Sequence, residues 1–294
     1  MKTMSIGIVG GGAIGMWLAS VLAEKIDVSL YVRRAEQREA LIQNGLVMAG
    51  HPPVRHLTLK MTSEPWTEDL IILAVKQPAL KSLLPKLNSP DSPHQSLLFI
   101  QNGMSHLAFI KDLPFTTIVV GSVEHGVRKL EDTVIDWTGK GRIRCGVIKG
   151  NTESLMPLLS EPSLNVEIIL NWFKMLEDKL VANAVINPLT ALFKVENGEI
   201  FKNPHFIKVA QALFEEISGA LRMTSEEKNQ RWKHIQTICE RTASNHSSML
   251  QDLESGRLTE IDAILGYIFN QNKSGNLPII KMLYSSIKGL EAKK

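Results

Sequence analysis

The sequence predicts an α/β protein: a Rossmann-type, doubly wound parallel sheet in residues 1–170, followed by an all-helical domain in residues 171–294. Three observations predict it. Short apolar runs alternate with helix-like segments through the first part of the chain, the pattern of a parallel sheet with crossover helices. A G-x-G-x-x-G motif lies between the first such run and the first helix. Beyond Trp172 the short apolar runs stop, and long helical patterns continue to the end.

The chain as a whole narrows the function classes. At 294 residues it is long enough for two domains with sizeable cores, and 44% hydrophobic with 21% charged residues is a globular composition. The 33 basic and 30 acidic residues leave a net charge of +3, interspersed rather than clustered, which argues against a nucleic-acid partner. Cys145 and Cys239 lie far apart with no metal-ligand spacing. One disulfide between them is compatible with the sequence but not indicated, and a reducing cytoplasm is the simplest compartment. The eight histidines are scattered without an HExxH pattern, so no metal is expected. Residues 3–23 carry no charge and follow Lys2, superficially like a signal peptide or membrane span. Yet Gly7, Gly10, Gly11, Gly12 and Gly15 fall inside that stretch, and each costs a helix interior about 1 kcal/mol relative to alanine. A strand, a glycine turn and a helix use these residues better, and no membrane partner is expected.

Met4 to Val9 reads as a buried parallel strand, Gly10-Gly11-Gly12-Ala13-Ile14-Gly15 as the turn, and Met16 to Glu24 as the helix. Gly10 permits the tight turn, Gly12 lets a pyrophosphate approach the backbone, and Gly15 lets helix and strand pack closely. The helix N-terminus offers its free N–H groups to the phosphates. Asp27 to Val32 is the second strand, ending in Arg33-Arg34. An acidic residue there would bind the ribose 2′-hydroxyl of NAD, whereas an arginine suits a 2′-phosphate. Arg33, with Arg34 as helper, therefore points to NADP; a solvated charge pair opening a helix is the alternative. Ala35 to Asn44 reads as a helix ended by Gly45. Leu46 to Leu59 reads as a hairpin or loop excursion with no legible function.

Leu70 to Val75 is the clearest strand, with Lys76 at its carboxyl end, where ligands bind in open α/β sheets. A lysine leaving a strand for solvent explains Lys76 equally well. Gln77 to Leu87 is a helix, followed by a polar, proline-punctuated loop from Asn88 to Pro93. Ser96 to Ile100 is a strand ended by Gln101-Asn102-Gly103, and Thr117 to Val120 is another, leading into the stretch from Gly121 to Gly126. Gly126 would allow close approach of a nicotinamide or simply serve a turn. His125 resembles a general acid, but a lone loop histidine is more often incidental. Thr133 to Ile148 is β-rich, and Val166 to Leu170 is the last strand.

The helical patterns then span roughly 172–193, 204–221, 226–246, 247–255, 259–273 and 277–291, with Asn276 and Pro278 marking the last start. Within the first, Lys179, Asn183 and Asn187 stand four residues apart, and steps of four drift only about 40°, so they share one face. An ammonium and two carboxamides suit an oxyanionic, hydroxylated small molecule. The opposing reading is a solvated stripe on an amphipathic helix whose apolar face is Leu176, Leu180, Ala184 and Val185. Pro188 costs a helix interior about 3 kcal/mol and is expected to end or bend it. Asn197-Gly198-Glu199 reads as a turn, and Asn245-His246-Ser247-Ser248-Met249 gathers hydrogen-bonding groups at a helix junction. Thr259 is an expected N-cap, with Glu260 and Asp262 favoured in the first turn by the helix dipole. A cleft between the two domains is the default ligand site.

Taken in order over nearly the whole chain, these motifs resemble the ketopantoate reductase (2-dehydropantoate 2-reductase) family. The resemblance rests on Gly-Gly-Gly-Ala-Ile-Gly near the start, Val75-Lys76, Gln101-Asn102-Gly103, Lys179-Leu-x-x-Asn183-x-x-Ile-Asn187-Pro-Leu-Thr-Ala-Leu, Asn197-Gly-Glu, Ser247-Ser-Met-Leu-Gln-Asp and Gly256-Arg-x-Thr-Glu260-Ile-Asp. It implies NADPH-dependent reduction of 2-dehydropantoate to (R)-pantoate, on the route to pantothenate and coenzyme A. It implies Lys179 as proton donor, with Asn102, Lys179, Asn183, Asn187, Asn197, Asn245, His246, Ser247 and Ser248 at substrate-binding positions. It implies cofactor contacts from Gly10, Gly11, Gly12, Ala13, Ile14, Gly15, Arg33, Lys76, Asn102, Gly126 and Glu260. Two departures stand out: Gly11 replaces a residue that often carries a side chain, a harmless change on this reading, and Ser122 to Lys129 match the family loosely.

The chemistry is coherent on its own terms. Hydride addition to a ketone leaves an alkoxide, so a nearby cation stabilises the transition state and a proton must follow. Lys179 as an ammonium serves both needs. Glu260 would orient hydroxyl groups and balance the lysine's charge, while Asn183 and Asn187 would hold the substrate's carboxylate or distal hydroxyl. The expected partner is a small 2-keto acid, and the expected assembly a monomer or homodimer. Two alternatives stay open: a reductase of another branched 2-oxo acid, and a non-catalytic regulator that senses NADP.

Overall fold

The computed structural model describes residues 4–88, 95–272 and 275–293. The chain falls into two compact units, Met1–Gln101 with His106–Met175, and Asn102–Ser105 with Leu176–Lys294. The first unit opens with β1 (Ile6–Val9), α1 (Ala13–Leu22), β2 (Val28–Val32), α2 (Ala35–Asn44), β3 (Val47–Met48), β4 (Thr58–Met61) and β5 (Leu70–Leu73). It continues through α3 (Gln77–Asn88), β6 (Ser96–Phe99), α4 (Leu107–Ile110), β7 (Thr117–Val123), β8 (Gly126–Lys129), β9 (Val134–Gly139), β10 (Ile143–Lys149), α5 (Met156–Leu159) and β11 (Val166–Ile168).

Eight strands form one sheet in the order β11-β10-β7-β6-β5-β1-β2-β4. Every pairing in it is parallel except β7 with β10. β1, β2, β5 and β6 are buried along their whole lengths, which is why they read as mainly apolar runs rather than alternating ones. The chain order reverses at β1, which lies between β2 and β5, so the glycine turn that follows it sits at the topological switch point. A second sheet, β3-β9-β8, packs on α1. Trp17 of α1 is fully buried there, with its ring centroid 4.3 Å from His125 and 5.6 Å from Trp137.

The excursion from Leu46 to Leu59 is more ordered than a loop. Leu46 bridges Val54, Val47–Met48 pair with β9, and Thr58–Leu59 begin the parallel edge strand β4. These strands were illegible because they are short and only partly buried, so no periodic apolar signal marks them. Asn88 is the last residue of α3; the remainder of the expected loop, residues 89–93, lies outside the described residues, as do Lys2 and position 273.

The second unit holds α6 (Trp172–Phe193) from Leu176 onward, then α7 (Glu199–Lys202), α8 (Pro204–Ala220), α9 (Ser225–Arg241), α10 (Ser248–Glu254), α11 (Ile261–Gln271) and α12 (Pro278–Ala292). Leu213 and Ile217 of α8, Ile264 and Ile268 of α11, and Ile280, Leu283 and Ile287 of α12 are buried at helical spacing, and these three helices pack on one another. Their ends are satisfied from a distance as well as locally. Asn276 does not start α12: Leu277 is its N-cap and Glu216 of α8 accepts hydrogen bonds from Ile279 N (3.0 Å) and Ile280 N (3.0 Å). Glu260 occupies the N-cap position of α11 without a side-chain cap bond, while Thr259, one residue earlier, accepts from Ile261 N through its Oγ1 (3.2 Å).

Pro188 does not end α6, which runs on to Phe193. Thr190 Oγ1 lies 2.8 Å from Ile186 O and 3.1 Å from Asn187 O, so a side chain supplements the backbone ladder next to the proline. No helix of the described residues is long and apolar enough to cross a membrane. Both cysteines are free and buried, so they form no disulfide.

Candidate active site

The glycine turn is shaped by contacts that leave little choice of residue. Gly10 has φ +132°, and a Cβ there would lie 2.8 Å from the Ala74 carbonyl carbon. A Cβ on Gly15 would strike the carbonyl oxygen of Gly10. Gly12 differs: nothing lies within 4 Å of where its Cβ would be, so its α-carbon faces open space. It is the N-cap of α1, and no side chain caps the helix, whose first turn is Ala13, Ile14 and Gly15.

Gly11 is not an indifferent position. A Cβ there would lie 2.7 Å from Gln37 Oε1 and 2.8 Å from Val32 Cγ1. Gln37 is buried because its Nε2 donates to Gly11 O (2.8 Å) and to Asp132 O (3.1 Å). Lys129 Nζ donates to the same Gly11 O (3.1 Å) and to Asp132 Oδ1 (3.0 Å). Arg34, expected as Arg33's helper, also pairs with Asp132. The hydrogen bond from Lys129 and the pairing with Arg34 hold the Asp132 carboxyl below its usual range. Arg33 is exposed at the end of β2 and makes no ion pair among the described residues. Gln37, Lys129 and Asp132 gave no signal in the sequence, since Lys129 meets Gly11 across 118 positions.

Lys76 is exposed just past β5. Gln101 fixes that strand end: its Nε2 donates to Leu73 O (2.6 Å) and Val75 O (3.0 Å). Nearby, Gln77 Nε2 lies 2.5 Å from His106 Nδ1, and His106 stacks on Phe99. Burial pushes the His106 imidazole down to about 4. His125 is structural, not a general acid. Its Nε2 bonds Leu164 O (3.0 Å), its Nδ1 accepts from Gly141 N (3.1 Å), and burial lowers its pKa, so both nitrogens of a neutral ring are committed. Gly126 opens β8, and a Cβ there would lie 2.9 Å from Thr138 Oγ1, so β9 packs close against it.

In the second unit, Asn102 and Glu260 meet although 158 residues separate them: Asn102 Nδ2 donates to Glu260 Oε2 at 2.8 Å. The next residue, Gly103, has φ +79°, and a Cβ on it would collide with the Ala263 carbonyl, so the segment lies directly against the first turn of α11. The residues flanking Glu260 are braced. Thr259 donates from N (2.8 Å) and Oγ1 (2.7 Å) to Glu291 Oε1 on α12, Arg257 Nε donates to Asp252 Oδ1 (3.0 Å), and Asp262 accepts from Tyr284 (2.5 Å) and Lys288 (3.2 Å).

Along α6, Lys179 and Asn183 are half-buried and Asn187 is only 6% exposed, while Leu180, Val181, Ala182, Ala184, Val185 and Ile186 are buried around them. With apolar residues buried on all sides of it, α6 is not the surface helix with a single apolar face that the opposing reading requires. The two acids preceding Lys179 are occupied by Arg231 of α9, which pairs with Glu177 and donates from Nε to Asp178 Oδ1 (2.9 Å). A guanidinium with only 5% of its side chain exposed needs such partners.

Asn197 and Asn245 also come together, Asn197 N bonding Asn245 O (2.9 Å) and Asn197 Nδ2 bonding Thr242 Oγ1 (2.9 Å). Ser247 is buried and serves as the N-cap of α10, 2.8 Å from Thr190 Oγ1. Ser248, in the first turn of α10, and Asn245 are exposed; exposed His246 lies 3.7 Å from Glu254.

Comparison with known proteins identifies the family. Residues 6–150 match the ketopantoate reductase PanE/ApbA family, and residues 171–291 match its C-terminal part. A 2-dehydropantoate 2-reductase of Bacillus subtilis (strain 168) is 36% identical over 295 residues, covering 98% of each chain. A crystal structure of a probable 2-dehydropantoate 2-reductase from Bacillus subtilis superposes with a TM-score of 0.86 at 33% identity, covering 98% of this chain and 100% of that one. A structure of D-mandelate dehydrogenase with NADH and anilino(oxo)acetate shares the fold, with a TM-score of 0.87 at 24% identity over 98% of each chain. With both parts matched and a relative of that identity along nearly its full length, the chain belongs to the ketopantoate reductase PanE/ApbA family of oxidoreductases.

Proposed function

We propose that the chain reduces 2-dehydropantoate to (R)-pantoate with NADPH, a step toward pantothenate and coenzyme A. In this reading residues 1–170 hold the cofactor and residues 171–294 supply the substrate and catalytic groups. The single observation that carries it is the α6 stripe: Lys179, Asn183 and Asn187 are polar on a helix otherwise buried around them, an expensive arrangement for a purely structural helix. The glycine turn fits a dinucleotide, since Gly12 leaves its α-carbon open at an uncapped helix N-terminus. Arg33 suits the ribose 2′-phosphate, which favours NADPH over NADH.

The bound cofactor supplies the hydride that adds to the keto carbon. Lys179 as an ammonium stabilises the oxyanion that develops on the keto oxygen and then delivers a proton to it. Asn183 and Asn187 hold the substrate's carboxylate and distal hydroxyl, with Asn197, Asn245 and Ser248 as further polar contacts. Glu260, fixed by Asn102 and by the brace on Thr259, orients hydroxyl groups beside the lysine. The test is NADPH oxidation by purified protein across a panel of 2-keto acids. Ketopantoate is expected to give the highest kcat/KM, and Lys179→Ala to lower kcat about a hundredfold. A different preferred acid would redirect the substrate assignment, wild-type-like turnover in the variant would remove Lys179 from proton transfer, and tight binding of NADPH without turnover of any acid would indicate a sensor.

A further inference from the structure

We propose that Lys129 is a specificity-determining residue of the nucleotide site: its ammonium binds the phosphate on the adenosine ribose alongside Arg33 and Arg34, and Asp132 positions it there. The proposal rests on reading the first unit as an NADPH site. In a doubly wound sheet the pyrophosphate meets the N-terminus of the first helix, and the adenosine ribose lies between that turn and the carboxyl end of the second strand. Here β2 ends at Val32 and presents Arg33 and Arg34 at that position.

Lys129 arrives from the other sheet, at the end of β8, yet its Nζ is 3.1 Å from Gly11 O, so the ammonium is anchored on the turn itself. Its second partner, Asp132 Oδ1 at 3.0 Å, is the oxygen that also accepts from the Arg34 guanidinium. Two cations on one oxygen lie within about 6 Å of each other, the sum of two hydrogen-bond lengths. Gln37 closes the ring by bonding both Gly11 O and Asp132 O.

Arg33 and Arg34 follow β2, and Asp132 Oδ1 holds Arg34 and Lys129 side by side next to the turn. A phosphate monoester complements such paired cations through charge-assisted hydrogen bonds; a neutral 2′-hydroxyl does not. A simple brace for the turn accounts for the Gly11 bond, which Gln37 already makes, but not for a second cation brought next to Arg34. The Lys129 side chain is 26% exposed, so it is reachable from solvent while held by two bonds.

Calorimetric titration of NADPH and NADH into the full-length protein and its variants tests this. Lys129→Met should raise the Kd for NADPH at least about tenfold while changing that for NADH less than about twofold. Lys129→Arg, which keeps the charge, should restore most of the affinity, and Asp132→Asn should weaken NADPH selectively. Retained NADH binding shows that the variants are folded. Equal losses for both cofactors would make Lys129 a brace only and overturn the proposal, as would unchanged NADPH binding in Lys129→Met. If the wild-type protein bound both cofactors equally, the NADPH reading itself would fall and the Lys129 assignment with it. Preference for NADPH in the wild type, lost in Arg33→Met but intact in Lys129→Met, would sink the assignment alone.

Discussion

His106 shows how burial makes an ordinary side chain a pH-dependent contribution to stability. In the unfolded chain an imidazole titrates near 6.5, whereas in the fold His106 titrates near 4 because its charged form is desolvated. Between those values the unfolded state binds more protons, so stability falls as the pH drops from about 6.5 to about 4, by about 3 kcal/mol in total; above 6.5 this term is constant. His106→Asn should flatten that limb, and urea unfolding at pH 7 and pH 5 would show the wild type losing about 2 kcal/mol more than the variant. An equal acid response in both proteins would assign the limb to other groups. His125 carries the same lesson for function: the sequence offers a histidine near a glycine, and only the fold reveals that both ring nitrogens bond the main chain. The alignment of Lys179 with Asn183 and Asn187, in contrast, was legible because helical spacing alone gives it.

The glycine turn and the residues buttressing it act as one element. The first, third and sixth positions of its motif follow from backbone geometry that any such turn needs, so Gly10, Gly12 and Gly15 are readable from sequence. Gly11 is different, because what crowds its Cβ is the buried Gln37 side chain from α2 together with Val32 of β2. Gly11→Ala is expected to destabilise the protein by about 1–3 kcal/mol, the usual cost of overpacking. Adding Gln37→Ala should relieve part of it, so the double variant should be more stable than the sum of the single effects predicts. Strict additivity in a denaturation cycle would mean that Gln37 does not press on the turn. At the helix ends the same distinction recurs. Thr224, which caps α9 in a capping box with Glu227, and Asn203, which caps α8, lie next to the helices they cap. Glu216 capping α12 and Glu291 holding Thr259 come from other helices, which no local pattern announces.

For the whole molecule, the two cysteines give a readout in each unit. Cys145 lies in the first and Cys239 in the second, both fully buried, and burial pushes both thiols up to about 12. Neither should react with an aromatic disulfide reagent in the native protein, and two thiols per chain should react in denaturant, at rates that follow the opening of each unit. Rapid labelling without denaturant would contradict the burial, and fewer than two thiols in denaturant would contradict the free state of both. Short-range periodicity encodes the doubly wound sheet, its turn, the helical second half, and the polar stripe from Lys179 to Asn187. Pairings across many residues emerge only in the fold: Asn102 with Glu260, Arg231 with Glu177 and Asp178, and Lys129 with Gly11 and Asp132. Backbone periodicity is written locally, whereas each of these contacts joins segments that meet only when separate elements pack together.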